Sequence, residues 1–537
     1  MRVIAYDFLD YRFDPCFNGE YVWQTRRFVD NLSRITLWTN KDRSDMTASN
    51  RQRGNMTRRD VLRSGAIGVG ATMLGGSVVQ AQEVTPQAPA VLKRRPPNIL
   101  YIICDQLGLD AVAAHGSTTV KTPYIDRLVK RGTTFVESHS TSPVCSPARS
   151  SLMTGFMPEE TGVVTNNIAI HPSRRTVGHI LGDAGYDSYY CGKWHIPGGV
   201  PKASDGFRVL PSRVGQGQHD DAFISHTCDA VIRDRADRST PYLLVASFLQ
   251  PHDICYYGNH VGNRIPLDVP FGLEPNELPE LPPNYKVRPK APAQLDRIHC
   301  TWFNDEQWRY YLYLYDRMIE MLDADIGRLV DAVESTGQSD DTVIVFTSDH
   351  GDGRARHSHV SKWYPYEEAM KVPLVFTCPE RIEADRSDTS HLVSGVDVVP
   401  TLCDYAGIKA PRHAIGRSLR PLLEESTDAP PWREFIVSEC HQVGRMVRSE
   451  GMKYVKYPND PIEQLFDMND DPWEMKNLYE DPAQADCLAD HRRMLAEYSK
   501  LIDPVPSGRP IVRDRQDGQT GVAAVAASAG TERRSRS

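Results

Sequence analysis

Ile99-Leu100-Tyr101-Ile102-Ile103-Cys104 is an unbroken apolar run that stops at the polar pair Asp105-Gln106. A strand with one wet face alternates apolar and polar residues, whereas a run that is apolar at every position fits a parallel strand covered on both faces. Two further runs repeat the pattern: residues 242–249 (YLLVASFL) precede His252-Asp253, and residues 342–347 (TVIVFT) precede Asp349-His350. In an open parallel sheet, ligands bind beyond the carboxyl ends of the strands. The three polar ends are therefore predicted to converge on one crevice.

Outward from these runs, short apolar segments alternate with longer amphipathic ones, the signature of βαβ units. Residues 307–335 carry Tyr311, Leu314, Met318, Leu322, Leu329 and Val333 close to helical period, with Gly337 as a stop, and should cover one face of the sheet. Past Pro430 the rhythm changes to short segments at 434–440, 446–449, 452–457 and 464–467, read as a small antiparallel sheet, followed by a helix over about 484–501. The expected fold is α/β: a large, mostly parallel sheet flanked by helices (97–430) and a smaller C-terminal antiparallel sheet plus helix (431–502). From Asp503 to the end, a Pro/Gly/Ala/Ser-rich tail is expected to be disordered.

The chain has 537 residues, 40% hydrophobic and 25% charged, as in an ordinary globular protein. A net charge of -8 and a pI near 6.1 argue against nucleic acid as a partner, because phosphate-backbone binding needs a basic surface. The 11 cysteines include no C-x-x-C pair and no zinc-ligand spacing.

Residues 56–82 read as an address. Thr57-Arg58-Arg59-Asp60-Val61-Leu62 precedes a weakly apolar run to Val79, and Val79-Gln80-Ala81 offers small residues for cleavage, so the stretch resembles a bacterial twin-arginine export signal. A surface helix with paired arginines is disfavoured by Gly65, Gly68, Gly70, Gly75 and Gly76. Such a signal belongs at an amino terminus; the expectation is that translation starts at Met56 (or Met46), that 1–55 is not part of the native protein, and that 83–96 is a linker. No other stretch reaches the roughly 18 consecutive apolar residues of a membrane span, so stable membrane insertion is not expected. The destination is the periplasm or the exterior.

Cys145-Ser146-Pro147-Ala148-Arg149 has the pattern C-x-P-x-R, with Pro143-Val144 before it and Ser150-Ser151-Leu152-Met153-Thr154-Gly155 after it. Thr122-Pro123-Tyr124-Ile125-Asp126-Arg127-Leu128, Gly192-Lys193-Trp194-His195, Gln250-Pro251-His252, Ser348-Asp349-His350-Gly351, and Lys362 ahead of Tyr366-Glu367-Glu368 follow in order. From about residue 97 to about 501 the chain thus resembles the type I, formylglycine-dependent sulfatases of the alkaline phosphatase-like superfamily.

That resemblance implies the following chemistry. Cys145 is oxidised by a maturation enzyme to Cα-formylglycine, whose hydrate has two hydroxyls on one carbon. One attacks the sulfur of a sulfate ester; the other, once deprotonated, expels the sulfate and restores the aldehyde. Asp105, Gln106, Asp349, His350 and the modified Cys145 hold one divalent cation. Gln106 and His350 depart from the commonest pattern, leaving two formal negative charges instead of three; calcium is the family expectation, and an imidazole ligand admits magnesium or manganese. Arg149 holds the formylglycine oxygen. Lys193 and Lys362 grip the sulfate, His252 protonates the leaving oxygen, and His195 assists collapse of the diol. His357, or its neighbour His359, is a substrate-side histidine, and Asn166, Asn167, Asp253 and Tyr256 lie where loops can reach the sulfated group.

The reading is an exported sulfatase acting on a sulfated small molecule or glycan, a sulfated carbohydrate first. Two alternatives stand beside it. A phosphonate monoester or phosphodiester hydrolase shares the Asp-Gln and Asp-His pairs, and a non-catalytic sulfoglycan-binding protein would keep Cys145 as a thiol.

Overall fold

The computed structural model describes residues 95–258, 273–298, 300, 303–425, 431–440, 443–458 and 460–509. These all belong to the compact unit Val91–Ser537. The expected extension, export signal and most of the linker lie outside the described residues.

In chain order the strands are β1 (Asn98–Asp105), β2 (Thr133–Phe135), β3 (Ser138–His139), β4 (Asp187–Gly192), β5 (Arg208–Val209), β6 (Tyr242–Pro251), β7 (Thr342–Ser348), β8 (Leu374–Thr377), β9 (Arg386–Asp388), β10 (Val393–Ser394), β11 (Phe435–Cys440), β12 (Gly444–Ser449), β13 (Met452–Lys456) and β14 (Gln464–Asp467). Eight of them form the large sheet, in the order β5-β4-β6-β1-β7-β8-β2-β9. The sheet is parallel except at β8, which runs antiparallel to both β7 and β2. The three apolar runs are its adjacent central strands: Ile99 pairs with Leu243 of β6 on one side and Val343 of β7 on the other.

Alternation explains why these strands are apolar throughout. Leu100, Ile102, Cys104, Leu244, Ala246, Ile344 and Phe346 point to one face, into a core shared with the helices Gly217–Arg235 and Asp305–Ser335. Ile99, Tyr101, Ile103, Leu243, Val245, Val343 and Val345 point to the other, against the helices Val177–Asp183 and Val398–Tyr405. The Asp305–Ser335 helix opens on a capping box made by Asn304 and Gln307 and ends before Gly337, whose φ of +70° suits glycine.

The C-terminal part is a four-stranded antiparallel sheet, β11-β12-β13-β14, backed by the helix Ala485–Leu501 through Leu488, Leu495 and Tyr498. One expectation needs correcting at its start. Residues 503–509 are not a loose tail: the Asp503 N–H donates to Glu160 Oε1 (3.2 Å), the Val505 N–H to the Glu159 carbonyl (3.0 Å), and Arg174 Nη2 to the Asp503 carbonyl (2.9 Å). Residues 510–537 lie outside the described residues.

Candidate active site

The crevice forms where the sequence pattern placed it, beyond the ends of β1, β6 and β7. Cys145 is the first residue of the helix Cys145–Thr154, all of it buried. The i, i+4 spacing of the C-x-P-x-R pattern puts Cys145 and Arg149 on one face of that helix. Cys145 Sγ lies 3.1 Å from His350 Nε2 and 3.9 Å from Asp105 Oδ1. The ligand atoms of Asp105, Cys145, Asp349 and His350 fall within 4.8 Å of one another, all four buried.

This donor set suits a cation. It offers two carboxylates and an imidazole, and His350 Nδ1 faces the Gly351 carbonyl at 2.9 Å, which leaves Nε2 turned inward as an acceptor. Gln106 flanks the group. Its backbone N–H donates to Asp349 Oδ1 (3.0 Å), and its side-chain Oε1 accepts from Lys362 Nζ (2.5 Å). Its φ of +74° is unusual for a residue with a Cβ and lets the chain turn sharply as it leaves β1.

Cations surround the carboxylates. Lys193 Nζ sits 2.6 Å from Asp105 Oδ2. Gly192 brings Lys193 there: its φ is +101°, and a Cβ would come within 1.9 Å of the Ser247 carbonyl. Arg149 ties the two carboxylates together: Nε donates to Asp349 Oδ2 (2.7 Å), Nη2 to Asp105 Oδ2 (3.0 Å), and Nη1 to the Lys193 carbonyl (3.0 Å) and Ser247 Oγ (2.8 Å).

The electrostatics follow. Burial alone would raise the Asp105 carboxyl, but the charges of Lys193, Arg149 and Lys362 hold it well below the usual range. Burial and the charge of Asp105 push its neighbour Asp349 up to about 6; of the pair, Asp105 keeps its charge more firmly because Lys193 and Arg149 share its Oδ2. Against burial and Asp105, the charges of Lys362 and Lys193 bring the Cys145 thiol well down. Burial, then Lys193 and Lys362, keeps His252 well below the usual imidazole value, so it is neutral here. His195, with φ +63°, is likewise lowered, chiefly by burial, with Cys145 acting the other way.

Three residues expected on the substrate side are engaged elsewhere. Asp253 accepts from the Gly217 and Gln218 N–H groups (3.1 and 2.9 Å) and from Gln250 Nε2 (2.9 Å), capping the helix Gly217–Arg235. Asn166 Oδ1 accepts the Ser146 N–H (2.9 Å) at the start of the Cys145 helix. His357 is buried, with Nδ1 2.9 Å from the Val287 carbonyl, Nε2 3.1 Å from Asn284 Nδ2 and its ring 4.5 Å from that of Tyr366. Sequence reasoning missed Ser247, Asp352, Tyr311 and Tyr315. Tyr311 had been read as core by its helical period; only Asp352, three residues past Asp349 in a loop, carried a signal.

Residues 97–408 match the Sulfatase family, and residues 355–500 match the family described as N-sulphoglucosamine sulphohydrolase, C-terminal. The chain is 32% identical over 466 residues to the Delta 4,5-hexuronate-2-O-sulfatase of Bacteroides thetaiotaomicron, covering 79% of this chain and 91% of that protein. A solved 2-O GAG sulfatase superposes with a TM-score of 0.65 at 29% identity, over 77% of this chain and 96% of its own. A phosphonate monoester hydrolase of Agrobacterium radiobacter superposes with a TM-score of 0.62 at 21% identity, over 76% and 96%, a likeness that shows the fold alone. With the match over residues 97–408 and the 32% identity over most of both chains, this chain belongs to the sulfatase family, a sulfuric ester hydrolase of the alkaline phosphatase-like superfamily.

Proposed function

We propose that the protein removes sulfate from a sulfated carbohydrate, using a formylglycine made from Cys145 by a maturation enzyme and one divalent cation, calcium first, held by Asp105, Gln106, Asp349 and His350. The observation that carries this reading is the gathering of Arg149, Lys193 and Lys362 with Asp105 and Asp349 around Cys145. Such a pocket takes a small tetrahedral anion. Similarity to a hexuronate 2-O-sulfatase and a 2-O GAG sulfatase supports the carbohydrate.

Cys145 Sγ stands where the formylglycine oxygens would be. When formed, the hydrated aldehyde supplies an oxygen nucleophile and a second hydroxyl, and the bound cation offsets the negative charge gathered there. Arg149 locks the spacing of Asp105 and Asp349. Lys193 and Lys362 hold and orient the sulfuryl oxygens as charge builds on them. His252 is the proton donor for the leaving oxygen. A sulfate between Lys193 and Lys362 cancels the charges that keep His252 neutral, so substrate binding raises its affinity for the proton it delivers. His195, beside Cys145, is placed to take a proton from the second hydroxyl.

The test is the mass of the peptide spanning Cys145 in protein from its native host, together with sulfate release from sulfated uronides and hexosamines. An aldehyde or hydrate with release supports the reading. An intact thiol, with glycan bound but no release, would replace it with binding. Faster turnover of an aryl phosphonate monoester than of any sulfate would move the substrate class. Export rests on the twin-arginine stretch at 57–62; periplasmic or medium localisation of the native protein, lost on Arg58-Arg59→Lys-Lys, is the expected result. Among the described residues no helix is long and apolar enough to cross a membrane.

A further inference from the structure

We propose that Asp352 is a positioning residue for the reaction: it fixes the amide of Gln106 so that the oxygen, and not the nitrogen, faces Lys362 and the cation-holding group. Asp352 is fully buried, and its Oδ2 accepts from Gln106 Nε2 at 2.6 Å. The other end of the same amide, Oε1, accepts from Lys362 Nζ at 2.5 Å. An amide has two ends of like shape and opposite hydrogen-bond polarity, and nothing in its own structure chooses between them. Here the choice is forced. A carboxylate only accepts and an ammonium only donates, so an amide between the two has one favourable orientation. Flipped, it would set oxygen against carboxylate and nitrogen against ammonium in a buried site.

Asp352 is itself held. Tyr311 OH donates to its Oδ1 and Oδ2 (3.0 and 3.1 Å), and the Arg354 N–H donates to Oδ1 (2.9 Å). One turn along the same helix, Tyr315 OH donates to the Gln106 carbonyl at 2.6 Å and so pins the backbone of a residue whose φ is +74°. The i, i+4 tyrosines of the helix Asp305–Ser335 thus anchor both the main chain and, through Asp352, the side chain of Gln106. A carboxylate in place of Gln106 would present an oxygen either way and need no such partner; a glutamine does.

This inference rests on the proposed cation-holding role of Gln106, and calcium titration by calorimetry separates the two. Wild-type protein that binds no calcium removes that role. If the wild type binds, Asp352→Asn is expected to weaken calcium at least about tenfold and to lower kcat on an aryl sulfate by a similar factor, with a smaller change in KM. Gln106→Glu alone, which sets two carboxylates together, should also lose affinity. The double variant Gln106→Glu/Asp352→Asn reverses the polarity of the pair and should recover calcium binding to within about threefold of wild type. Calcium affinity within twofold of wild type in folded Asp352→Asn, or a double variant no better than Gln106→Glu, overturns the proposal. Should Asp352→Asn fail to fold, the latter comparison decides, and Tyr311→Phe, which removes one bond to Asp352, should weaken calcium about two- to threefold.

Discussion

Two buried charge clusters lie in this molecule, one at the ends of β1, β6 and β7 and one where the large sheet meets the C-terminal sheet. In the first, Arg149 and Lys193 take Asp105, Arg149 takes Asp349, and Lys362 is left to a neutral amide. In the second, the fully buried Lys453 lies 3.1 Å from Glu367 and 2.8 Å from Glu474, His139 lies 3.3 Å from Glu367, and Lys371 and Arg448 reach Glu137 at 2.6 and 3.1 Å. The first is shut off from water, whereas Glu137 and Lys371 of the second are part-exposed; they differ too in what their cations serve. In the first, Lys193 and Lys362 act against burial to depress Asp105 and Cys145. In the second, Lys453 and His139 overcome burial and hold Glu367 well down, while burial and then Glu474 push Glu368 up to about 8 against the opposing charge of Arg356. Burial of charge is thus no mark of function by itself.

Four substitutions probe that contrast, beginning with the largest effect. Cys145→Ala should abolish turnover by about 10³-fold or more while the fold persists, since the side chain leaves a pocket and breaks no ion pair; single-turnover sulfate release checks it. Lys453→Met should cost about 3–5 kcal/mol of stability by stranding Glu367 and Glu474, yet leave kcat per folded molecule within about threefold. Denaturant unfolding combined with kinetics separates the two readouts. Lys362→Met should do the reverse, lowering kcat/KM by about 10²-fold at a smaller cost in stability than Lys453→Met, because Lys362 bonds an amide rather than two carboxylates. A Lys362 variant that unfolds early, or a Lys453 variant with intact stability, would break the comparison. Asp253→Asn should cost only about 1 kcal/mol, as a weakened helix cap, with KM unchanged; a large rise in KM would return Asp253 to the substrate side.

The second cluster's neighbourhood also predicts a pH response. Glu439, buried, accepts from Tyr498 OH and the Glu159 N–H, and burial followed by the charge of Glu159 pushes it up to about 8. A carboxyl raised on folding stabilises fully below its unfolded value near 4.5 and loses that contribution as pH climbs through about 8. Glu439→Gln, neutral at every pH, should therefore gain on the order of 2 kcal/mol over wild type at pH 9 and nothing at pH 5. Unfolding midpoints at the two pH values test it.

The central strands were legible because burial on both faces leaves an unambiguous mark, and the register Ile99–Leu243–Val343 set their polar ends side by side. Cys145, Asp105, Asp349, His350 and Lys193 were legible from motifs. The working partners of Arg149 were not: which carboxylates a guanidinium ties together depends on distances between elements 40 to 200 residues apart. Asp253 and His357 carried the right residue types in the right loops, and only packing showed them capping a helix and lying against the ring of Tyr366.

By itself the sequence determined which residues carry charge, where strands end, and that the i, i+4 step puts Cys145 and Arg149 on one helix face, because these depend on local period and chain order. Only the tertiary structure decided which cations are consumed by carboxylates and which remain, and which end of the Gln106 amide faces the pocket. Pairing is a matter of a few ångströms between segments far apart in the chain, and no local pattern encodes it.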